Sequence, residues 1–421
     1  MGNKRLHEHD ASGERVVLVH IFFPAGKMEE DLNELKELAL SANANVVATI
    51  TGTRRVPVAK YFVGKGKAEE IRDAVSANHA ELVIFNHVLS PAQERNLERL
   101  IQCRVLDRTR LILDIFARRA RSFEGKLQVE LAQLKHLATR LVRVWTHLER
   151  QQGGIGLRGP GETQLETDKR LIRDRIKLIT ERLVKLSKRR EYGRRSREKA
   201  VLPTIALVGY TNAGKSTLFN QLTGASVYVA NQLFATLDPT LRRSHIKTLE
   251  SVIFADTVGF IRHLPHTLIQ AFHATLEEVS QADLLLHVVD VNDDEKLAHI
   301  EEVKKVLDSI DAGTVPYIMV YNKIDLIPAI KPIIERDESH HIKRVFISAM
   351  KGWGITELVK AMSEIITKDS IEREIILTPK EAKLRAILYE KKAVISEHIA
   401  DNGDYHLTVR LSQVEFKKLF R

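Results

Sequence analysis

Residues 209–216 constrain the fold of this chain more than any other segment. They read GYTNAGKS and lie between the apolar run 205–208 and the run 217–222, which reads TLFNQL. A GxxxxGKS stretch between a strand and a helix predicts a phosphate-binding loop in an α/β domain. Its glycines let backbone N–H groups point at phosphate, Lys215 reaches the outer phosphates, and the Ser216 hydroxyl can ligate Mg²⁺. We therefore expect this loop to bind a nucleotide with Mg²⁺.

Three more motifs, each after a strand-like apolar run, indicate that the base is guanine. DTVG ends at Gly259, whose amide can meet a γ-phosphate, and its Asp256 can hold Mg²⁺ through water. NKID ends at Asp325, which can accept two hydrogen bonds from guanine N1 and the exocyclic amine, a donor pair that adenine lacks. SAM at 348–350 can present a backbone amide to guanine O6. A polar mismatch of this kind can cost a factor of about 10⁴, so guanine is predicted over adenine.

The segment 234–240, FATLDPT, is the predicted switch because it shows little helical periodicity and lies between the phosphate loop and Asp256. One of its threonines is expected to complete the Mg²⁺ shell and sense the γ-phosphate. Thr236 is favoured, and Thr240 is the alternative. Phe260 follows DTVG where many such enzymes have a glutamine that orients water. Hydrolysis is therefore either slow and assisted by a partner, or another group positions the water.

Asn212 indicates a second cation, because an asparagine at this place occurs in P-loop enzymes that recruit K⁺ instead of an arginine finger. Activation by K⁺ is left open. The predicted catalytic residues are Lys215, Asn212 and Gly259, and the predicted metal ligands are Ser216 and Thr236. The predicted nucleotide-binding residues are Gly209, Tyr210, Thr211, Asn212, Ala213, Gly214, Lys215, Ser216, Phe234, Ala235, Thr236, Leu237, Asp238, Asp256, Thr257, Val258, Gly259, Asn322, Lys323, Ile324, Asp325, Ser348, Ala349 and Met350.

The composition argues against several classes of protein. The 421 residues suffice for two or three domains, and the single cysteine, Cys103, argues against a disulfide framework. The apolar stretch 16–23 is too short for a signal core or a membrane span. Neither HExxH nor paired CxxC spacing accompanies the 17 histidines. We expect a cytoplasmic monomer.

The positive charge is concentrated in one region. Residues 140–200 carry 18 Lys and Arg against 8 Asp and Glu, and this excess of 10 equals the formal net charge of the whole chain. A localised basic stripe is the electrostatic footprint of a polyanion partner. The alternative is a solvated helix face, but the density at 188–190 and 194–197, beside a glycine-rich stretch, favours nucleic acid.

Two long helices are predicted in this basic region. Apolar side chains step by four and three residues over 127–148 and again over 172–186. Between them, 153–161 reads GGIGLRGPG, which predicts a flexible tip. Arms of about 30 residues would hold this tip about 40 Å from the body. The alternative is an ordinary loop, but Arg158 among glycines favours a tip that contacts a ligand.

The two ends of the chain have their own patterns. The first 120 residues alternate strand-like runs (16–22, 45–50, 82–85 and 103–106) with helical runs (29–40, 67–77 and 91–101). This alternation predicts a parallel sheet. GKGK at 64–67 can bind phosphate of RNA or of a second nucleotide, or it is a tight turn with solvated lysines. Residues 372–421 combine a helical run with a strand-like run at 405–411 and predict a small α+β domain.

Together these motifs resemble those of the HflX family of ribosome-associated GTPases, in the group that also contains Obg. The resemblance covers nearly the whole chain and rests on GYTNAGKST, FATLDPT, DTVGFIRHLPH, NKID, VGKGKAEEI and, most specifically, GGIGLRGPGETQLETD. It implies binding to the large (50S) ribosomal subunit and its rRNA, and GTP-dependent separation of stalled or stressed ribosomes. Phe260 fits the hydrophobic substitution that the family implies after DTVG. Any presence at membranes would be peripheral and through ribosomes.

The predicted architecture is an N-terminal parallel α/β domain (1–122), a basic helical hairpin (123–200), a Ras-like P-loop GTPase domain (201–370) and a small α+β domain (371–421). The predicted reaction is hydrolysis of GTP to GDP and phosphate, coupled to the splitting of 70S ribosomes. Two alternatives stay open. One is a GTPase that acts in ribosome or RNA maturation or modification, and the other is a GTP-sensing adaptor for another protein.

Overall fold

The computed structural model describes residues 13–23, 32–145, 160–199, 202–225, 232–246, 250–262, 273–367, 370–390, 393–400, 403–412, 416 and 419–420. The chain forms two compact units. The first comprises Met1–Leu186, Tyr228–Asp238 and Val258–Thr275, and the second comprises Ser187–Val227, Pro239–Thr257 and Leu276–Arg421. Residues 234–238 of the predicted switch and the residues that follow Thr257 in DTVG therefore belong to the first unit.

A four-stranded parallel sheet of order β2-β1-β3-β4 forms the centre of the first unit. Its elements are β1 (Arg15–Phe22), α1 (Leu32–Ser41), β2 (Asn45–Thr53), α2 (Lys65–Asn78), β3 (Leu82–Phe85), α3 (Pro91–Ile101), β4 (Arg104–Asp107) and α4 (Arg108–Arg119). A helix connects each strand to the next, which parallel pairing requires. Strand β3 is buried throughout, as expected of a strand covered on both faces. The predicted parallel sheet is confirmed, whereas α4 was not among the predicted helices.

Two long helices follow, α5 (Phe123–Trp145) and α6 (Pro160–Lys199), of 23 and 40 residues. The predicted arms of about 30 residues each thus correspond to 23 and 40 residues in the part of the chain that the structure describes. Helix α6 begins at Pro160, inside the predicted tip, because proline is well suited to a first helical turn; residues 153–159 of the tip lie outside the described residues. The two helices share an apolar cluster with the predicted periodicity: Leu127, Leu131, Leu134, Ile176, Ile179, Leu183 and Leu186.

A seven-stranded sheet of order β10-β11-β9-β8-β5-β7-β6 forms the centre of the second unit. Its elements are β5 (Thr204–Gly209), α7 (Lys215–Thr223), β6 (Thr240–Ile246), β7 (Glu250–Asp256), α8 (His273–Ser280), β8 (Leu284–Asp290), α9 (Lys296–Ser309), β9 (Tyr317–Asn322), β10 (Ile333–Arg336), β11 (Ile342–Phe346) and α10 (Ile355–Thr367). The inner strands are parallel, and the two edge strands β6 and β10 pair antiparallel. Loops at the carboxyl ends of the parallel strands form the usual ligand site of such a sheet.

The C-terminal part contains a three-stranded antiparallel sheet of order β12-β14-β13, with a helix between β12 and β13. It comprises β12 (Ser370–Leu377), α11 (Ala382–Glu390), β13 (Val394–Ile399) and β14 (Tyr405–Ser412). Leu377, Leu388 and Leu407 are at its centre. The predicted small α+β domain is confirmed. In the described part of the chain, we find no helix that combines the length and the apolar character needed to cross a membrane.

Candidate nucleotide site

The phosphate loop joins β5 to α7, as its sequence predicted. Gly209 and Gly214 have positive φ values of 148° and 93°, which residues with a Cβ atom rarely adopt. A methyl group at Gly209 would overlap the Val288 carbonyl oxygen, and one at Gly214 would overlap the Asn322 amide. The first N–H groups of α7 have no carbonyl partner within the helix, and they give the loop the polarity that favours an anion.

Lys215 is the first residue of α7 and is only 6% exposed. Its Nζ donates to the carbonyl oxygens of Gly209 (3.1 Å) and Tyr210 (2.7 Å). Burial lowers the pKa of Lys215 to about 8, and the nearby Asp256 carboxylate partly opposes this shift. A phosphate oxygen is a stronger acceptor for an ammonium group than a neutral carbonyl is. Lys215 is therefore placed to exchange its carbonyl partners for nucleotide phosphates.

Ser216 and Asp256 lie together at the other side of the loop. The Ser216 Oγ donates to the Asp256 Oδ2 at 2.7 Å, and Asp256 is fully buried at the end of β7. A hydroxyl oxygen and a carboxylate oxygen are the donors that Mg²⁺ prefers, so these residues fit the metal. The Thr257 hydroxyl donates to the Leu207 carbonyl at 2.5 Å and fixes the turn after β7. Thr240, the first residue of β6, is the cross-strand partner of Asp256.

Asn322 connects the phosphate loop to the predicted base-binding loops. It is 2% exposed; its Nδ2 donates to the Ala213 carbonyl (2.9 Å), and its Oδ1 accepts from the Ala349 N–H (2.9 Å). The Ser348 hydroxyl donates to Asp325 Oδ1 at 2.6 Å, which fixes the carboxylate that the sequence assigns to guanine. NKID and SAM thus act as one hydrogen-bonded unit.

Lys323 and Met350 complete these loops. Lys323 has a left-handed backbone (φ 68°), and its ammonium group pairs with Asp290 at 2.7 Å. Ile324 is buried beneath the loop, whereas the Met350 side chain is 72% exposed. Burial and pairing therefore fix the backbone of both loops, while the Met350 side chain stays at the surface.

The remaining loop residues differ in exposure. Asn212 is exposed and has a positive φ of 61°. Thr211 is buried, and its hydroxyl has no hydrogen-bond partner among the residues that the structure describes. Tyr210 stacks on His299 of α9 with ring centroids 3.7 Å apart, and His299 Nδ1 lies 2.5 Å from the Asp293 carboxylate. No sequence signal singled out His299, because it reads as an ordinary residue of a helix.

The predicted switch residues have protein partners within the first unit. Phe234 is 2% exposed and packs edge-on against Phe116, with ring centroids 4.5 Å apart. Asp238 accepts hydrogen bonds from the backbone N–H groups of Arg121 (2.9 Å) and Ser122 (2.7 Å). The neighbours Ala235 and Thr236 are half-buried and Leu237 is buried. After DTVG, Phe260 is 1% exposed, so its ring packs within the protein. The predicted nucleotide contacts of this segment stay predictions.

Sequence reasoning also missed a buried histidine in the second unit. His287 on β8 is 2% exposed. Its pKa is lowered to about 4, chiefly by burial and further by the charges of Lys304 and Lys215. The side chain is therefore neutral at physiological pH. Among 17 histidines, the apolar run around this one was the only available signal.

Comparison with known proteins identifies the family. Models described as "GTP-binding GTPase N-terminal", "GTP-binding GTPase Middle Region" and "50S ribosome-binding GTPase" match residues 29–117, 119–197 and 204–323. The GTPase HflX of Escherichia coli (strain K12) is 56% identical over 97% of this chain and 96% of its own length. The chain belongs to the HflX family of GTPases. The GTPase HflX of Caldanaerobacter subterraneus is 47% identical over 93% of this chain and 89% of its own length. The chain is thus a GTPase of a ribosome-binding family, as its motifs predicted.

Proposed function

We propose that this chain, with GTP bound, docks on the 50S subunit and splits stalled or stressed 70S ribosomes, and that hydrolysis then releases it. The observation that carries the proposal is the excess of basic residues in α6. This helix has 14 Lys and Arg against 7 Asp and Glu, and its 40 residues extend about 60 Å at 1.5 Å per residue. Ribosomal RNA is the polyanion that such a helix fits in a ribosome-binding family.

The packing of α6 supports a solvent-facing role for its charges. Ile179 is fully buried against Leu127 and Leu131 of α5, which fixes the orientation of the helix in this region. Four of the cations of α6, Arg182, Lys185, Lys188 and Arg189, are exposed. The apolar contact with α5 fixes α6 in place, and its exposed cations remain accessible to phosphate groups. These contacts would position the protein on RNA without reading its sequence.

The nucleotide site would supply the switch. Lys215 and the loop amides would bind the phosphates, and Asp325 and a backbone amide of SAM at 348–350 would select guanine. Ser216, with Thr236 or Thr240 and Asp256 through water, would hold Mg²⁺, which supplies electrostatic stabilisation of the transferred phosphoryl group. Gly259 would meet the γ-phosphate, and Asn212 would hold K⁺. We further propose that the protein acts as a monomer.

The attacking water needs a group other than the residue after Gly259. Phe260 is buried and has no hydrogen-bonding atom in its side chain. Water would therefore be ordered by backbone groups, by K⁺ near Asn212, or by the ribosome. This predicts slow hydrolysis by the free protein and faster hydrolysis when it is bound to the 50S subunit.

Sedimentation of 70S ribosomes tests the proposal. Incubation with the full chain and a non-hydrolysable GTP analogue at constant Mg²⁺ should convert 70S particles to 30S and 50S subunits, whereas GDP should not. Intact 70S particles in the presence of saturating analogue would contradict splitting. Precursor rRNA that accumulates in cells without the protein would then favour maturation, and the absence of 50S-stimulated hydrolysis would favour an adaptor.

A further inference from the structure

Helix α4 of the first unit begins at a buried arginine that holds the chain after DTVG. Arg108 is 3% exposed; its Nη1 donates to Asn86 Oδ1 (2.7 Å), and its Nη2 donates to Glu34 Oε2 (2.5 Å). The same Nη2 donates to the backbone carbonyl of Arg262 at 3.2 Å. Arg262 follows Gly259 by three residues. Because a buried guanidinium needs its partners, Glu34 and Asn86 fix the direction in which Arg108 reaches this segment.

The other end of α4 holds the FATLD segment. Phe116 packs against Phe234, and the Arg119 guanidinium donates to Gln232 Oε1. Directly after the helix, Asp238 accepts two backbone N–H groups and also the Ser122 hydroxyl at 2.5 Å.

The first turn of α5 leaves space for the Asp238 carboxylate. Gly125 lies in this turn, and a methyl group there would overlap Asp238 Oδ1. The Gly125 N–H donates to the Ser122 hydroxyl at 2.8 Å, so the same serine caps α5 and binds Asp238. The FATLD segment is thus fixed to the beginning of the hairpin.

We propose that α4 couples the two segments that respond to the γ-phosphate, with Arg108 and Asp238 as positioning residues at its two ends. The helix has 12 residues, seven of them buried, so it moves as one body rather than bending. A nucleotide that displaces either segment must therefore displace or release the other, and the change reaches the first turn of α5. The proposal rests on the proposed function in taking these two segments as the ones that respond to the γ-phosphate and the hairpin as the ribosome-facing element, and the measurements below need no ribosome.

Hydrogen exchange of the full chain tests the coupling. Gly125→Ala should expel the Asp238 carboxylate while raising the helix propensity of α5. Exchange of the Arg121 and Ser122 amides, which lose the carboxylate that accepts their hydrogen bonds, should accelerate about tenfold. Exchange in 232–238, which is no longer held by Asp238, and in 258–262 should accelerate with it. Gly313→Ala is the matched control, because a methyl group there would overlap the Asp308 carboxylate in the second unit. This variant should leave hydrogen exchange unchanged in both 232–238 and 258–262.

A second pair of variants keeps the test decisive. Ser122→Ala removes one donor to Asp238 if Gly125→Ala folds poorly, and Glu34→Gln weakens the fixation of Arg108 at the opposite end. Each should accelerate exchange in both segments and change the ratio of affinities for the GTP analogue and GDP. The double variant with Ser122→Ala and Glu34→Gln should change the affinity ratio by a smaller factor than the product of the factors measured for the two single variants. Acceleration confined to the segment nearest the substitution, or multiplicative effects on the ratio, would overturn the coupling whether or not the protein splits ribosomes.

Discussion

The choice of guanine gives the sharpest quantitative prediction, and it concerns Asp325. Its carboxylate is oriented by the Ser348 hydroxyl at 2.6 Å, on a loop held by the buried Asn322. Two charge-assisted hydrogen bonds to guanine, at about 1.5–3 kcal/mol each, correspond to about 3–6 kcal/mol, or a factor of about 10²–10⁴ in affinity. Asp325→Asn should lose most of this because an amide N–H₂ would face the guanine amine. Ser348→Ala leaves the carboxylate in place and should cost only about tenfold.

Titration with fluorescent GDP and XDP measures both effects. Xanthine carries a carbonyl where guanine carries its exocyclic amine, so the asparagine variant should prefer XDP over GDP. Thermal unfolding of each variant provides the control for folding. Unchanged GDP affinity in Asp325→Asn, or a larger loss in Ser348→Ala than in Asp325→Asn, would refute the assignment of NKID to the base.

Three further predictions concern the cation, pH and RNA. Basal hydrolysis should be faster in K⁺ than in Na⁺, and Asn212→Ala should remove the difference; equal wild-type rates in both salts would contradict K⁺ activation. The pKa of His287 is about 4 in the folded protein against an ordinary 6.5, so the unfolded chain binds the extra proton between these values. Stability should therefore fall by up to about 3 kcal/mol as the pH falls from 6.5 to 4, and urea unfolding of His287→Leu should show a correspondingly flatter pH dependence. Replacing Lys188 and Arg189 by glutamate should weaken 50S binding and lower its log–log salt slope by about one to two, whereas the same changes at 304 and 305, both exposed lysines, should not alter the slope.

Local patterns predicted the parts of the fold that short segments determine. The phosphate loop was placed between a strand and a helix because GYTNAGKS interrupts an apolar run, and β5 and α7 begin and end accordingly. The parallel sheet of the first unit followed from alternating apolar runs, and β3 matches its predicted run at both ends. The cluster around Ile179 followed from apolar spacing alone. In each case the relevant interactions are within one element or with its chain neighbours.

Contacts between distant segments could not be predicted in this way. Asp238 lies in a switch-like segment, yet its carboxylate binds backbone groups 116 and 117 residues earlier in the chain. Arg108 begins a helix that was not predicted, and its partners Glu34 and Arg262 are 74 and 154 residues away. No spacing rule connects such positions, because the folded sheet, not the local sequence, brings them together. The sequence therefore predicted where the loops with the GTPase motifs lie in the fold better than it predicted how the switch segments are held.

Ribosome splitting is tested most directly by the light scattering of 70S particles in a stopped-flow instrument. Mixing with the full chain and a non-hydrolysable GTP analogue should produce a decrease in scattering whose rate rises with protein concentration. The same mixture with GDP should leave scattering constant, and the variant with glutamate at 188 and 189 should need more protein to reach the same rate. A constant signal with the analogue, at concentrations where binding to the 50S subunit is saturated, would contradict the proposal that the GTP state separates the subunits.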